Sequence, residues 1–196
     1  MADTAMAVPG MRTAPRTQLV ATSLAVVAAS SLMAGLLAFY MSRRHAVVDP
    51  GHNWLPDDVA IPNTPMVMTV VTIVLAALFG HWAAWAGHRN ERGHTYMAIG
   101  ATMLMILAFL NMLIFSMNRM DIAIGTSEWH NLAFTITGVI IAFTLISLAY
   151  WLLMGMRALG GDLGPEGAAS LTSSALFLDF LVLAWSAAWY AVYVVK

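Results

Sequence analysis

Five stretches of this chain, each at least 21 residues long, contain no Lys, Arg or Glu: Leu19–Met41, Met66–Ala86, Tyr96–Met117, Leu132–Met154 and Leu171–Val194. About 20 apolar residues in a helix cross roughly 30 Å of hydrocarbon, so each stretch is long enough to span a bilayer. Helices apolar on every side also occur in the cores of large soluble proteins. Five of them in 196 residues leave nothing to cover them, and only 10% of the residues are charged, against about 25% in soluble domains. The expected fold class is all-α: a polytopic membrane protein with a five-helix transmembrane bundle over 19–196, preceded by a polar tail over 1–18. The first apolar run has 23 residues. A secretory signal core has about 7–15, so this run reads as a retained helix.

The links between spans are short, and short links make neighbouring helices antiparallel. The longest, SRRHAVVDPGHNWLPDD, carries turn signals at Asp-Pro-Gly and Leu-Pro. GHRNERGH and NRMDIAIGTSEWHN follow, then RALGGDLGPEGAAS, which ends a helix at Gly160-Gly161. Five spans put the termini on opposite sides. With the N-terminus in the cytoplasm, that side holds Arg12, Arg16, Arg89, Arg92 and Arg157, against Arg43, Arg44, Arg119 and Lys196 outside. Five against four favours that orientation. Asp49, Asp57 and Asp58 fall in the first external link. The seven Trp lie mostly near span ends, as in an aromatic belt.

Composition and motifs exclude several chemistries. No Cys is present, which removes disulfides, thiolate metal sites and Cys nucleophiles. The net charge of -1 and the scattered cations give no nucleic-acid footprint. P-loop, dinucleotide, HExxH and GxSxG signatures are missing from the sequence. Of the six His, His45, His52, His88, His94 and His130 fall in links or at boundaries, and His81 lies well inside a span. Two His facing each other across a bundle, as a transmembrane haem b needs, are not apparent. The 15 Met are scattered, which fits conformable packing better than metal handling. Catalysis by the chain alone is not expected.

A few polar residues interrupt the hydrocarbon. Asp179 lies eight residues after Leu171, about 12 Å into the last span. An intramembrane carboxylate faces protein or water. It reads either as a proton or ion relay or as a structural carboxylate bonded to another helix. The structural reading is preferred, because one lone acid makes no pathway. His81 stands at comparable depth in the second span and is its candidate partner through a charge-assisted bond. Equally, His81 could meet lipid headgroups beside Trp82 and Trp85. Asn111 reads as a polar contact between helices. Gly80, Gly100, Gly138 and Gly155, with the Ala28-Ala29-Ser30-Ser31 run, suit close helix packing.

Four segments carry a pattern together. The first span closes with SLMAGLLAFYMSRR, and the second is entered through LPDDVAIPNTPMVMTVV. The fourth reads TITGVIIAFTLISLAYWLLMGMR, and the fifth contains FLDFLVLAWSAAWYAVY. These resemble subunit III of haem-copper respiratory oxidases in its short five-span form. The resemblance runs from the first span to the C-terminus. It places Thr137, Gly138 and Arg157 on the family's Thr-Gly start and closing Arg, and Asp179 and Tyr190 on its last-span Asp and Tyr. Departures are several. Ala29 stands where the family has an intramembrane Glu, and Ile140 and Phe143 stand for its paired His. Asn111 and Ile114 fall near its Gln-and-Glu pattern, and Leu176 stands for its last-span His.

The resemblance implies an accessory subunit that binds no redox centre. Haem and copper would reside in partner subunits, chiefly the catalytic subunit I, and structural phospholipid would be held beside it. Such a subunit supports electron transport and proton uptake in a respiratory complex of the bacterial inner membrane. Related expectations are an accessory subunit of a supercomplex or of a nitric oxide reductase. The competing class is a small transporter or assembly factor. Transport needs a hydrated mid-membrane site, and five spans show no inverted repeat. The candidate structural or partner-contact residues are therefore Asp179, His81, Asn111, Gly138, Arg157 and Tyr190.

Overall fold

A computed structural model of the chain describes residues 16–48, 53–57, 59–121, 125–161 and 165–195. Residues 1–15, which hold most of the expected polar tail, and Asp49, His52, Asp58 and Lys196 lie outside the described residues. Five helices form: α1 (Arg16–Val48), α2 (Asn63–His88), α3 (Arg92–Arg119), α4 (Glu128–Leu159) and α5 (Pro165–Trp189). A π-helical turn, Tyr190–Val194, continues α5. Among the described residues there is no strand. All five helices are long and apolar enough to cross a membrane. The chain is an all-α five-helix bundle and an integral membrane protein.

Each helix outruns its apolar stretch, because a backbone crossing the headgroup region gains by staying hydrogen-bonded to itself. The expected link after Met41 is helical through Val48. GHRNERGH shrinks to a tight turn, with Gly87 and His88 in α2 and Arg92 to His94 in α3. Asn90 makes this turn in the left-handed region, at φ 60°. Ser127 caps α4 by accepting a hydrogen bond from the His130 backbone N–H, so the helix begins before Leu132. Pro165 opens α5 six residues ahead of the expected Leu171, in the first-turn position where its missing N–H costs nothing.

In the bundle α5 packs against α1, α2 and α4, while α3 packs against α2 and α4. Half of the α5 span window is buried, against 17% for α1; α5 is the central helix and α1 the peripheral one. The sorting of inside from outside reverses the soluble rule. Hydroxyls at Thr69, Thr102, Thr137, Thr144, Ser173 and Ser174 are buried. Leu24, Leu104, Ile146 and Leu183 are among the exposed residues. Lipid tails are as apolar as Leu, so close approach and polar satisfaction, rather than burial of hydrocarbon, decide which face turns inward. Many of these hydroxyls are satisfied within their own helix: Thr102 donates to the Ala98 carbonyl and Thr144 to that of Ile140, both at 2.8 Å.

The expected aromatic belt is corrected. Trp54, Trp129, Trp151 and Trp185 are buried in the bundle. Their indoles fill space between helices, and three of them stack edge-on against Tyr40, Tyr193 or Phe109. Trp85 is exposed, with the Arg89 guanidinium 4.2 Å above its ring.

Candidate functional site

The α2–α5 contact is built on a seven-residue step. Gly80-His81 and Gly87-His88 on α2 face Leu178-Asp179 and Leu171-Thr172 on the antiparallel α5. Seven residues are close to two helical turns, so each pair recurs on the same side of its helix. A Cβ at Gly80 would stand 2.9 Å from Leu178 Cδ1 and 3.1 Å from Trp151 Cζ2, and one at Gly87 would stand 2.9 Å from Leu171 Cδ1. The two glycines let α5 sit close enough for the neighbouring polar side chains to meet. His88 Nε2 lies 3.0 Å from Thr172 Oγ1 near the helix end.

Two turns deeper, His81 Nε2 lies 2.8 Å from Asp179 Oδ1 and 3.0 Å from Oδ2. This is the contact that satisfies the intramembrane carboxylate. Because α5 is longer than the apolar run, Asp179 stands deeper than the earlier count from Leu171. It lies 12 residues into the Gly167–Val194 span, about 18 Å along a helix about 42 Å long. On α2, His81 stands seven residues, about 10 Å, before the helix end. The pair is nonetheless not enclosed: the His81 and Asp179 side chains are 55% and 41% exposed. They lie on the bundle's outer wall.

Two apolar furrows flank this point. One, of about 310 Å³, runs between α1 and α5 beside Val26, Ser30 and Ala34. The other, of about 410 Å³, runs between α2 and α5 beside Val74 and Leu78. Asp179 and Leu183 border both, which makes them a ridge between two grooves. Leu183, Ala187 and Tyr190 continue outward along α5 at helical spacing, all exposed. The structure thus sets Asp179, His81 and Tyr190 on one wall.

The other sequence candidates separate from it. Arg157 Nη1 is 3.4 Å from Ser170 Oγ at the opposite end of the bundle from Tyr190. There Ser170 donates to Gln18 Oε1 at 2.7 Å, and Gln18 Nε2 donates to the Tyr150 hydroxyl. This network joins α1, α4 and α5. Asn111 is exposed, which corrects its assignment as a contact between helices. The buried side of α3 runs through Thr102, Ile106, Phe109 and Leu113, and Asn111 points away from it. Gly138 borders a groove between α3 and α4, and a Cβ there would meet nothing within 4 Å. Gly100 is equally open. Neither is a close-packing glycine, because an added Cβ at either would touch no neighbouring helix.

Sequence reasoning missed a polar and aromatic cluster at the Tyr190 end. Trp54 Nε1 donates to the Tyr40 hydroxyl at 2.9 Å, and Tyr40 reaches the Val192 carbonyl at 3.4 Å. Val192 lies in the π turn, where the widened ladder loosens a carbonyl for an outside donor. Tyr193 pairs with Thr137 at 2.8 Å, and Trp185 Nε1 donates to Thr69 Oγ1 at 2.8 Å. Only Thr137 among these had been singled out.

Among the described residues no three His, Asp or Glu side chains come together as a metal site would need. The fold and this wall define a polytopic helical membrane protein whose His–Asp pair, within two of the spans, faces outward. No protein-family model matches the sequence, and no curated protein matches it.

Proposed function

We propose that the chain is a non-catalytic accessory subunit of a haem-copper respiratory oxidase complex in the bacterial inner membrane, with its N-terminus cytoplasmic and its C-terminus outside. Haem and copper belong to its partners in this reading, and structural phospholipid is held beside it. The oxidase assignment draws on the four-segment resemblance to subunit III. The observation that carries the accessory role is the outward-facing His81–Asp179 pair within the spans. Hydrocarbon offers such a pair no hydrogen bonds, and intramembrane ionisable groups belong against protein or water. A bundle that turns its polar pair outward is suited to being covered.

The test is affinity purification of the tagged chain from native membranes in mild detergent. Co-purification of a subunit with haem absorbance bands is the expected result. Recovery of the chain alone, together with substrate-dependent flux after reconstitution in liposomes, overturns the proposal in favour of transport.

A further inference from the structure

The ridge formed by Asp179 and Leu183 has a shape and a chemistry that specify what covers it. Its two flanking furrows hold about 310 and 410 Å³. Ridges of one helix seat in the grooves of another, so a helix lying along α5 fills both furrows with side chains on either side of Leu183. Lipid acyl chains would fill the furrows but leave the polar pair without a hydrogen-bonding neighbour. A second copy of this chain would set ridge against ridge. The pair also limits the visitor's chemistry. His81 uses Nε2 for Asp179, and its Nδ1 has no hydrogen-bond partner among the described residues, on a side chain 55% exposed. An added Lys, Arg, Asp or Glu would bring a further charge into hydrocarbon beside the pair, at a cost. An uncharged hydrogen-bonding side chain would not.

We propose that the α5 strip of Asp179, Leu183, Ala187 and Tyr190 receives one transmembrane helix of a different polypeptide, which brings a Ser, Thr, Asn, Gln or Tyr side chain to His81. The identity of that polypeptide as the haem-bearing subunit rests on the function proposed above; the docking geometry does not.

The absence of Cys makes a clean crosslinking test available. Leu183→Cys, at a residue 72% exposed, and Leu104→Cys on α3, at one 61% exposed, are each labelled with a benzophenone maleimide in native membranes, irradiated, and mapped by mass spectrometry. The expected result is an adduct from position 183 to a transmembrane helix of another chain. That helix carries one of the five named side chains within a turn of the adduct, and position 104 gives at least tenfold less. Such an adduct to a membrane protein without haem upholds the docking geometry and removes the oxidase reading. Adducts to lipid only, to a second copy, or to a helix with a charged residue or no polar residue at that level overturn the docking proposal, even if a haem-bearing subunit co-purifies. Equal labelling from position 104 does the same. Leu183→Trp, which adds bulk outside the bundle, should keep the thermal stability of the isolated protein and reduce recovery of the partner at least tenfold. His81→Ala should reduce it roughly three- to eighteenfold, the range a hydrogen bond between membrane helices supplies. Unchanged recovery in both variants overturns the proposal.

Discussion

A double-mutant cycle on His81 and Asp179 measures how much the pair contributes to the bundle itself. The variants are His81→Ala, Asp179→Ala and the double substitution. Hydrogen bonds between membrane helices average about 0.6 kcal/mol, with a maximum near 1.7. Charge assistance roughly doubles a hydrogen bond, and here Nε2 reaches both carboxylate oxygens, at 2.8 and 3.0 Å. The expected coupling is therefore about 1–1.7 kcal/mol. The single variants should not cost the same. Asp179→Ala leaves an imidazole that has lost one hydrogen-bond partner. His81→Ala leaves the carboxylate without its bonded partner, and an unpaired carboxylate in a span costs more than an unpaired imidazole. His81→Ala should be the more damaging variant. Steric trapping in bicelles, or titration with a denaturing detergent in mixed micelles, gives the unfolding free energies. Coupling below about 0.3 kcal/mol, or Asp179→Ala as the costlier variant, would refute the reasoning.

Gly80→Ala should destabilise the bundle by about 1–2 kcal/mol by crowding Trp151 and Leu178. Gly100→Ala, where nothing lies within 4 Å, should be neutral or stabilising by up to about 1 kcal/mol through helix propensity. Thermal unfolding of both in one detergent checks the contrast. Thr137→Val should cost about 1–3 kcal/mol, because it strands the buried Tyr193 hydroxyl. Tyr193→Phe should cost less, since a helical Thr can turn its hydroxyl to its own backbone; equal losses would contradict this. Asn111→Leu should be neutral or stabilising in a bilayer, because it replaces an exposed amide with hydrocarbon, and a loss above about 1 kcal/mol would show that the amide has a partner.

The five helices were legible because the constraint behind them is severe. Backbone groups in hydrocarbon must bond to their own helix, and long apolar runs report that directly. The helix ends were less legible. Ser127 and Pro165 signalled starts at α4 and α5, but an apolar-run criterion stops where the first charge appears, and helices do not. The direction each residue faces was the least legible of all. These helices are apolar on every side, so no periodicity separates Asn111 on an outer face from Thr102 on an inner one. The His81–Asp179 contact could be anticipated from depth alone. Its better signal was the seven-residue step, Gly-His at 80 and 87 against Leu-Asp and Leu-Thr at 178 and 171, which places two polar rungs on one seam.

The position of the pair separates what it does for the fold from what it does for a partner. A carboxylate needed only as a fastener would be better placed where Ser173 and Ser174 stand, fully buried on the inner side of α5, where protein donors can satisfy all of its lone pairs. On the outer wall its contribution to the isolated bundle is small, while the need for a polar neighbour remains. The coupling free energy therefore bears on docking as well. A value near 1 kcal/mol leaves the outward placement to be explained by a covering helix. A value of about 3 kcal/mol or more would make the pair a sufficient fastener by itself, and the outer wall would then need no occupant other than lipid.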